Sequence, residues 1–83
     1  MILDKRCIDL LIKARNNPAG LRFTELCKLC ECANMHLDRV KGSHHIYKRG
    51  IPFKLISIQK MPDGKAKSYQ VRQLLDFIEE HNL

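Results

Sequence analysis

Four consecutive residues, Gly42-Ser43-His44-His45, carry the chemistry of greatest interest in this chain. A glycine in a tight turn lets backbone come close to a ligand, and Ser43 adds a hydroxyl able to bond phosphate. Histidine takes up and releases a proton near neutral pH. Beside a ribose, such an imidazole removes the 2′-hydroxyl proton, so that the oxygen attacks the neighbouring phosphorus. Lysine or arginine nearby stabilises the charge that develops on the phosphoryl oxygens, and the route needs no metal. Lys41, Lys48 and Arg49 flank the four residues. The competing reading makes His44 and His45 an ordinary surface residue and a half-buried strand residue. Adjacent strand residues point to opposite faces, so the two histidines do not act as a pair. One faces solvent and the other the helical layer.

A second cluster, Lys60, Lys65, Lys67 and Arg72, surrounds a turn and the start of a helix. Free N–H groups at a helix start, with lysines around them, suit a phosphate. The alternative is a charged loop that serves solubility. From Arg39 to Arg72 there are nine Lys or Arg and one acid, Asp63, a balance of +8 within a chain of net charge +6. So local an excess is the footprint of a polyanion binder, although a solvated basic face without a ligand has the same composition.

Cys27-Lys28-Leu29-Cys30-Glu31-Cys32, with His36, holds half of a zinc pattern. No second Cys-x-x-Cys or His-x-x-x-His accompanies it, and Cys27 and Cys30 share an apolar helical stripe with Phe23 and Leu26. Buried, reduced core thiols are therefore expected, with no metal. The N-terminus meets charge at Asp4-Lys5-Arg6 without a long apolar stretch, so no secretory signal is read and Cys7, Cys27, Cys30 and Cys32 are expected to stay as thiols. The expectation is a soluble, cytoplasmic protein with no membrane partner and no small-molecule cofactor.

Periodicity supplies the elements that position these groups. Eighty-three residues make one domain with a thin core. Leu3, Cys7, Leu10, Leu11 and Ala14 mark an amphipathic helix over residues 2–15. Asn16 to Gly20 breaks it at Pro18. A second helix follows from Phe23 or Thr24 to Ala33, with Thr24 as N-cap and Asn34 as a left-handed stop. The period then changes to two, with strands over residues 35–40, 44–49 and 53–59, turns at 41–43 and 50–52, and Met61-Pro62-Asp63-Gly64 as a further turn. The alternation puts Met35 and Leu37 on one face of the first strand, His36 and Asp38 on the other. Ser68 is read as the N-cap of a last helix burying Val71, Leu74, Leu75 and Ile78. The order α-α-β-β-β-α makes an α+β domain: a three-stranded antiparallel sheet with helices on one face and the other face open.

Two stretches resemble a known family. Arg39-Val40-Lys41-Gly42-Ser43-His44-His45-Ile46-Tyr47-Lys48 looks like the signature of HicA-type toxins of bacterial toxin–antitoxin systems. Ile58-Gln59 and Gly64-Lys65-Ala66-Lys67-Ser68-Tyr69-Gln70-Val71-Arg72-Gln73-Leu74-Leu75 resemble the closing part of a longer subgroup of that family. The likeness covers about residues 22–82, a HicA-like core over 22–83, with residues 1–20 as the subgroup's extra N-terminal helix and loop. The resemblance implies a double-stranded-RNA-binding-domain-like fold and a metal-independent mRNA endonuclease. It implies His44 as catalytic residue, with His45 as the alternative, and a HicB-type antitoxin as protein partner. Lys41, Gly42, Ser43, Lys48, Lys65, Lys67 and Arg72 are the expected contacts to single-stranded mRNA. Compact members often carry another histidine near a proline after the third strand; here the chain reads Gln59-Lys60-Met61-Pro62. Ser68 stands where proline is common in the longer subgroup. The remaining alternatives are a non-catalytic RNA-binding module of the same fold and a small basic protein that docks an acidic one.

Overall fold

Asp4 starts the first helix: its carboxylate accepts from the N–H groups of Arg6 (2.8 Å) and Cys7 (3.3 Å), two of the donors a helix start leaves unpaired. The computed structural model describes residues 4–83. Residues 2 and 3 of the expected helix, Leu3 among them, lie outside that range. The elements are α1 (Lys5–Asn16), a 3-10 turn (Pro18–Gly20), α2 (Phe23–Cys32), β1 (His36–Lys41), β2 (His44–Arg49), β3 (Lys54–Ile58) and α3 (Ser68–Glu80). This is the α-α-β-β-β-α order that the periodicity predicts. No helix among the described residues is long and apolar enough to cross a membrane.

Two helix starts differ from expectation. Arg22, not Thr24, is the N-cap of α2, and Glu25 reaches back so that its carboxylate accepts from the Arg22 N–H at 2.9 Å. The carboxylate three residues into the helix thus satisfies the N–H of the N-cap residue itself, the reciprocal half of a capping box. Lys67, not Ser68, caps α3, and Ser68 is its first helical residue. Helix ends follow the asparagines. Asn34 and Asn82 have φ of 61° and 54°. At the first, Met35 N–H donates to Cys30 O and Asn34 N–H to Glu31 O; at the second, Leu83 N–H donates to Ile78 O and Asn82 N–H to Glu79 O. Both are paired closing bonds around a left-handed residue.

The strands form an antiparallel sheet in the order β1-β2-β3. Gly42 (φ 61°) and Ser43 make the two-residue turn between Lys41 and His44, which needs a positive φ that glycine adopts freely. Pairing runs His36 with Lys48, Leu37 with Tyr47, Arg39 with Ile46 and Lys41 with His44, and the register slips between Leu37 and Arg39. Directly opposed residues share a face. Asp38 is therefore the extra residue of a bulge and does not extend the His36 row, which corrects the simple alternation. The bulge keeps His36, Arg39 and Lys41 on one face with His44, Ile46 and Lys48.

The other face carries Tyr47, Ile56 and Ile58 into the core against Leu21, Leu26, Leu29, Val71, Leu74 and Ile78. Arg49 lies there too. It is 9% exposed, its guanidinium donates to Ala33 O (2.6 Å) and Ile51 O (2.9 Å), and it sits over the Phe77 ring. One of the nine cations counted toward the basic surface is thus a structural clasp that ties the end of α2 to the β2–β3 turn and α3.

The cysteines depart from the expectation of four thiols. Cys7 on α1 and Cys32 at the end of α2 form a disulfide across Cα atoms 5.7 Å apart. The expectation rested on compartment; the pairing follows from how α1 packs on α2, which spacing along the chain does not reveal. Cys32 is thereby taken out of the Cys27-Cys30-Cys32 set. Cys27 and Cys30 remain free. Burial pushes both thiols up, strongly for Cys30; at Cys27 a hydrogen bond with Tyr47 opposes part of the shift. Neither is activated as a nucleophile. Lys13 and Glu25 add an ion pair (2.8 Å) between the same two helices. Burial alone would raise the Glu25 carboxyl, but the Lys13 ammonium and the Arg22 N–H outweigh it and hold it below its ordinary value.

Candidate functional site

Alternation in β2 separates the two histidines, and the core decides which goes where. His45 is half-buried on the helix side, edge-on to the Phe23 ring at 5.0 Å between centroids. His44 is exposed on the open face, where Lys41 is its cross-strand partner. Of the two, only His44 is presented to a ligand lying on the sheet.

His44 is held at both ring nitrogens. Nδ1 lies 3.0 Å from Ser57 Oγ, and Nε2 lies 3.3 Å from Gln59 Nε2. The same Gln59 amide donates to Ser43 Oγ at 3.2 Å, while its Oε1 accepts from Lys67 Nζ at 2.9 Å. These contacts settle the proton positions. An ammonium only donates, so the oxygen of Gln59 must face Lys67 and its NH2 must face His44. His44 Nε2 therefore accepts, and in the neutral ring Nδ1 carries the proton and donates it to Ser57. The basic lone pair is on Nε2, directed toward the Gln59 amide, which also reaches Ser43. Gln59 is fixed in turn through its backbone, whose N–H donates to Gln70 Oε1 on α3 at 2.9 Å.

Of the expected contact residues, Lys41, Gly42, Ser43 and Lys67 come together with His44 at this corner of the sheet. Lys48 lies on the same face but four residues along β2, roughly 13 Å away at strand rise. Lys65 is exposed and its backbone bridges to Arg22, and Arg72 is exposed on α3; no side-chain hydrogen bond among the described residues joins either to His44. Ser57, Gln59 and Gln70 were not expected. Ser57 and Gln59 had a legible signal, since Ile56-Ser57-Ile58-Gln59 alternates apolar and polar and so places both polar residues on the open face. Gln70 had none, because it is a polar side chain buried on a helix.

Charge is distributed to match. The ion pairs among the described residues are Lys5–Asp9, Lys13–Glu25, Lys28–Glu31 and Arg39–Asp38. The side chains of Lys41, Lys48, Lys60, Lys65, Lys67 and Arg72 thus form no ion pair there, whereas three cations of α1 and α2 do. A cavity of about 310 Å³ between α1 and α2 is lined by charged residues including that Lys13–Glu25 pair, and shares no residue with the His44 cluster.

Ser57→Ala removes the acceptor that holds the Nδ1 proton. The expected outcome is a folded protein whose His44 ring nitrogens shift away from a pure Nδ1–H form, read by long-range ¹H–¹⁵N correlation spectra. An unchanged His44 pattern would mean that Gln59 alone sets the tautomer.

Comparison with family models, with curated proteins and with solved structures finds no match for this chain.

Proposed function

We propose that this chain is a toxin-type endoribonuclease resembling HicA, acting on single-stranded mRNA with His44 as general base, and that its sheet and helices are a variant of the double-stranded-RNA-binding-domain fold. The observation that carries the reading is the exposed imidazole whose Nε2 lone pair is set by Gln59, beside Ser43 and Lys67. His44 Nε2 takes the 2′-hydroxyl proton, the 2′ oxygen bonds to phosphorus, and the P–O5′ bond breaks. The departing 5′ oxygen takes a proton from water, leaving a 2′,3′-cyclic phosphate. Lys67 uses one of its three protons on Gln59 and has two for a phosphoryl oxygen; Lys41, across from His44, offers a second cation. Lys65, Lys48 and Arg72 hold flanking phosphates. A HicB-type antitoxin would block the site with an acidic surface laid over the same cations.

A non-catalytic RNA-binding module is the second reading. It is favoured by one contact: the Gln59 amide occupies the His44 lone pair, so substrate must displace it before the base acts.

Incubating the purified chain with end-labelled single-stranded RNA, and inducing it in growing cells, tests both readings. Cleavage to cyclic-phosphate ends with growth arrest supports the nuclease. Binding without cleavage or arrest supports the module. A stoichiometric acidic protein complex with no RNA retained would make the basic face a protein-docking surface. If four phosphates are neutralised, affinity falls roughly 50-fold between 50 and 200 mM salt, from a slope of about −0.7 per phosphate on a single strand. A flat salt dependence would remove the basic face as the binding surface.

A further inference from the structure

Beside the His44 cluster the chain forms a second cavity of about 270 Å³, lined by Ala19, Met61, Ala66, Lys67, Ser68 and Tyr69. Resting on the nuclease reading, we propose that this cavity is a nucleobase subsite, in which one unpaired base of the RNA strand stacks on Tyr69 while the adjoining phosphate lies at Lys67.

Three observations converge on that occupant. The first is the wall chemistry. Ala19, Met61 and Ala66 supply apolar surface, and Tyr69 keeps a large aromatic side chain 53% exposed, although α3 buries its other face. Every base has a π-face, and aromatic side chains are the usual platform for single-stranded nucleic acid. Lys67 and Ser68 supply polar groups at the rim. The second is size. The cavity is below the roughly 300–1,000 Å³ of pockets that enclose drug-sized ligands, which suits one ring system.

The third is connection. Lys67 lines the cavity and also donates to Gln59, whose amide contacts His44. The Tyr69 hydroxyl accepts from Gln70 Nε2 at 3.2 Å, and Gln70 Oε1 accepts from the Gln59 backbone at 2.9 Å. Gln59 and Gln70 therefore fix the aromatic platform and the base nitrogen in one network. A strand crossing the unpaired cations at this corner puts a base beside Tyr69 when its phosphate reaches Lys67. Charge complementarity favours a polyanion with flat apolar groups over an uncharged ligand.

The test uses a short single-stranded RNA carrying 2′-fluoro groups, which cannot be cut, and a matched strand with abasic positions, which keeps the phosphates and removes the bases. The chain has two tyrosines and no tryptophan, and Tyr47 is 5% exposed in the core, so quenching of tyrosine emission on binding reports Tyr69. Wild type is expected to bind the base-bearing strand about tenfold or more tightly than the abasic one, with emission quenched. Tyr69→Ala should lose about that factor on the base-bearing strand and nothing on the abasic strand, while Tyr69→Phe keeps the wild-type preference. Equal binding by wild type and Tyr69→Ala, or equal losses on both strands, would overturn the subsite and leave the nuclease reading standing. Failure of wild type to bind either strand, with tight binding to polyglutamate instead, would overturn that reading and the subsite with it.

Discussion

On the proposed nuclease reading, replacing His44 by alanine is expected to lower RNA cleavage by about 10²- to 10⁴-fold, the range that a positioned general base contributes. RNA affinity should change little, because Lys41, Lys67 and the other unpaired cations remain. The exposed position of His44 means that its removal opens no cavity, so the thermal midpoint should stay near wild type. His45→Ala is the control with the opposite signature. It removes a half-buried ring packed edge-on against Phe23, so it should cost stability while leaving cleavage by the folded fraction intact. Cleavage rates of both variants on one end-labelled strand, alongside their melting curves, separate the two roles. Loss of cleavage by His45→Ala with His44→Ala active would reverse the assignment.

The second large effect concerns the cross-link between α1 and α2. Cys7 and Cys32 are 25 residues apart in sequence. Closing a loop of that length removes unfolded-state entropy worth about 3.5 kcal/mol at 25 °C. For a domain of this size each kcal/mol moves the melting point by roughly 4–8 °C, so Cys7→Ser should melt roughly 14–28 °C below the oxidised wild type. The Lys13–Glu25 pair keeps a weaker tie between the helices, and their packing remains. Neither cysteine touches the His44 network, so cleavage at temperatures where both proteins are folded should match. The comparison needs only calorimetry of wild type with and without reductant, next to Cys7→Ser. A wild type that melts alike under both conditions would show that the cross-link contributes nothing in solution.

Much of this molecule is written in local patterns. Residues three and four apart in α2 and α3, and two apart in β2 and β3, mark the faces that a helix or strand must bury, and such periods survive whatever the rest of the chain does. The strand of His44, the turn at Gly42, the left-handed Asn34 and the α-α-β-β-β-α order are all legible for that reason. The concentration of cations between Arg39 and Arg72 is likewise a property of composition. Other features depend on which distant residues meet. The start of α2 lies at Arg22 and not at Thr24, with Glu25 reaching back to the Arg22 N–H. Asp38 left its row because β1 must register against β2. Arg49, one charge among nine on paper, is buried because two backbone carbonyls and a phenyl ring surround it. Cys7 finds Cys32 only once α1 lies on α2. The candidate site has the same origin: His44 comes from β2, Ser57 from β3, Gln59 from just beyond it, and Lys67 and Gln70 from the start of α3. The one-dimensional pattern determined that one histidine would face out. Tertiary packing chose His44, by turning His45 onto Phe23, and oriented its proton through a glutamine whose neighbours lie up to 16 residues away in sequence. Side-chain direction relative to its own backbone is local chemistry, whereas convergence of side chains from separate elements requires the folded chain.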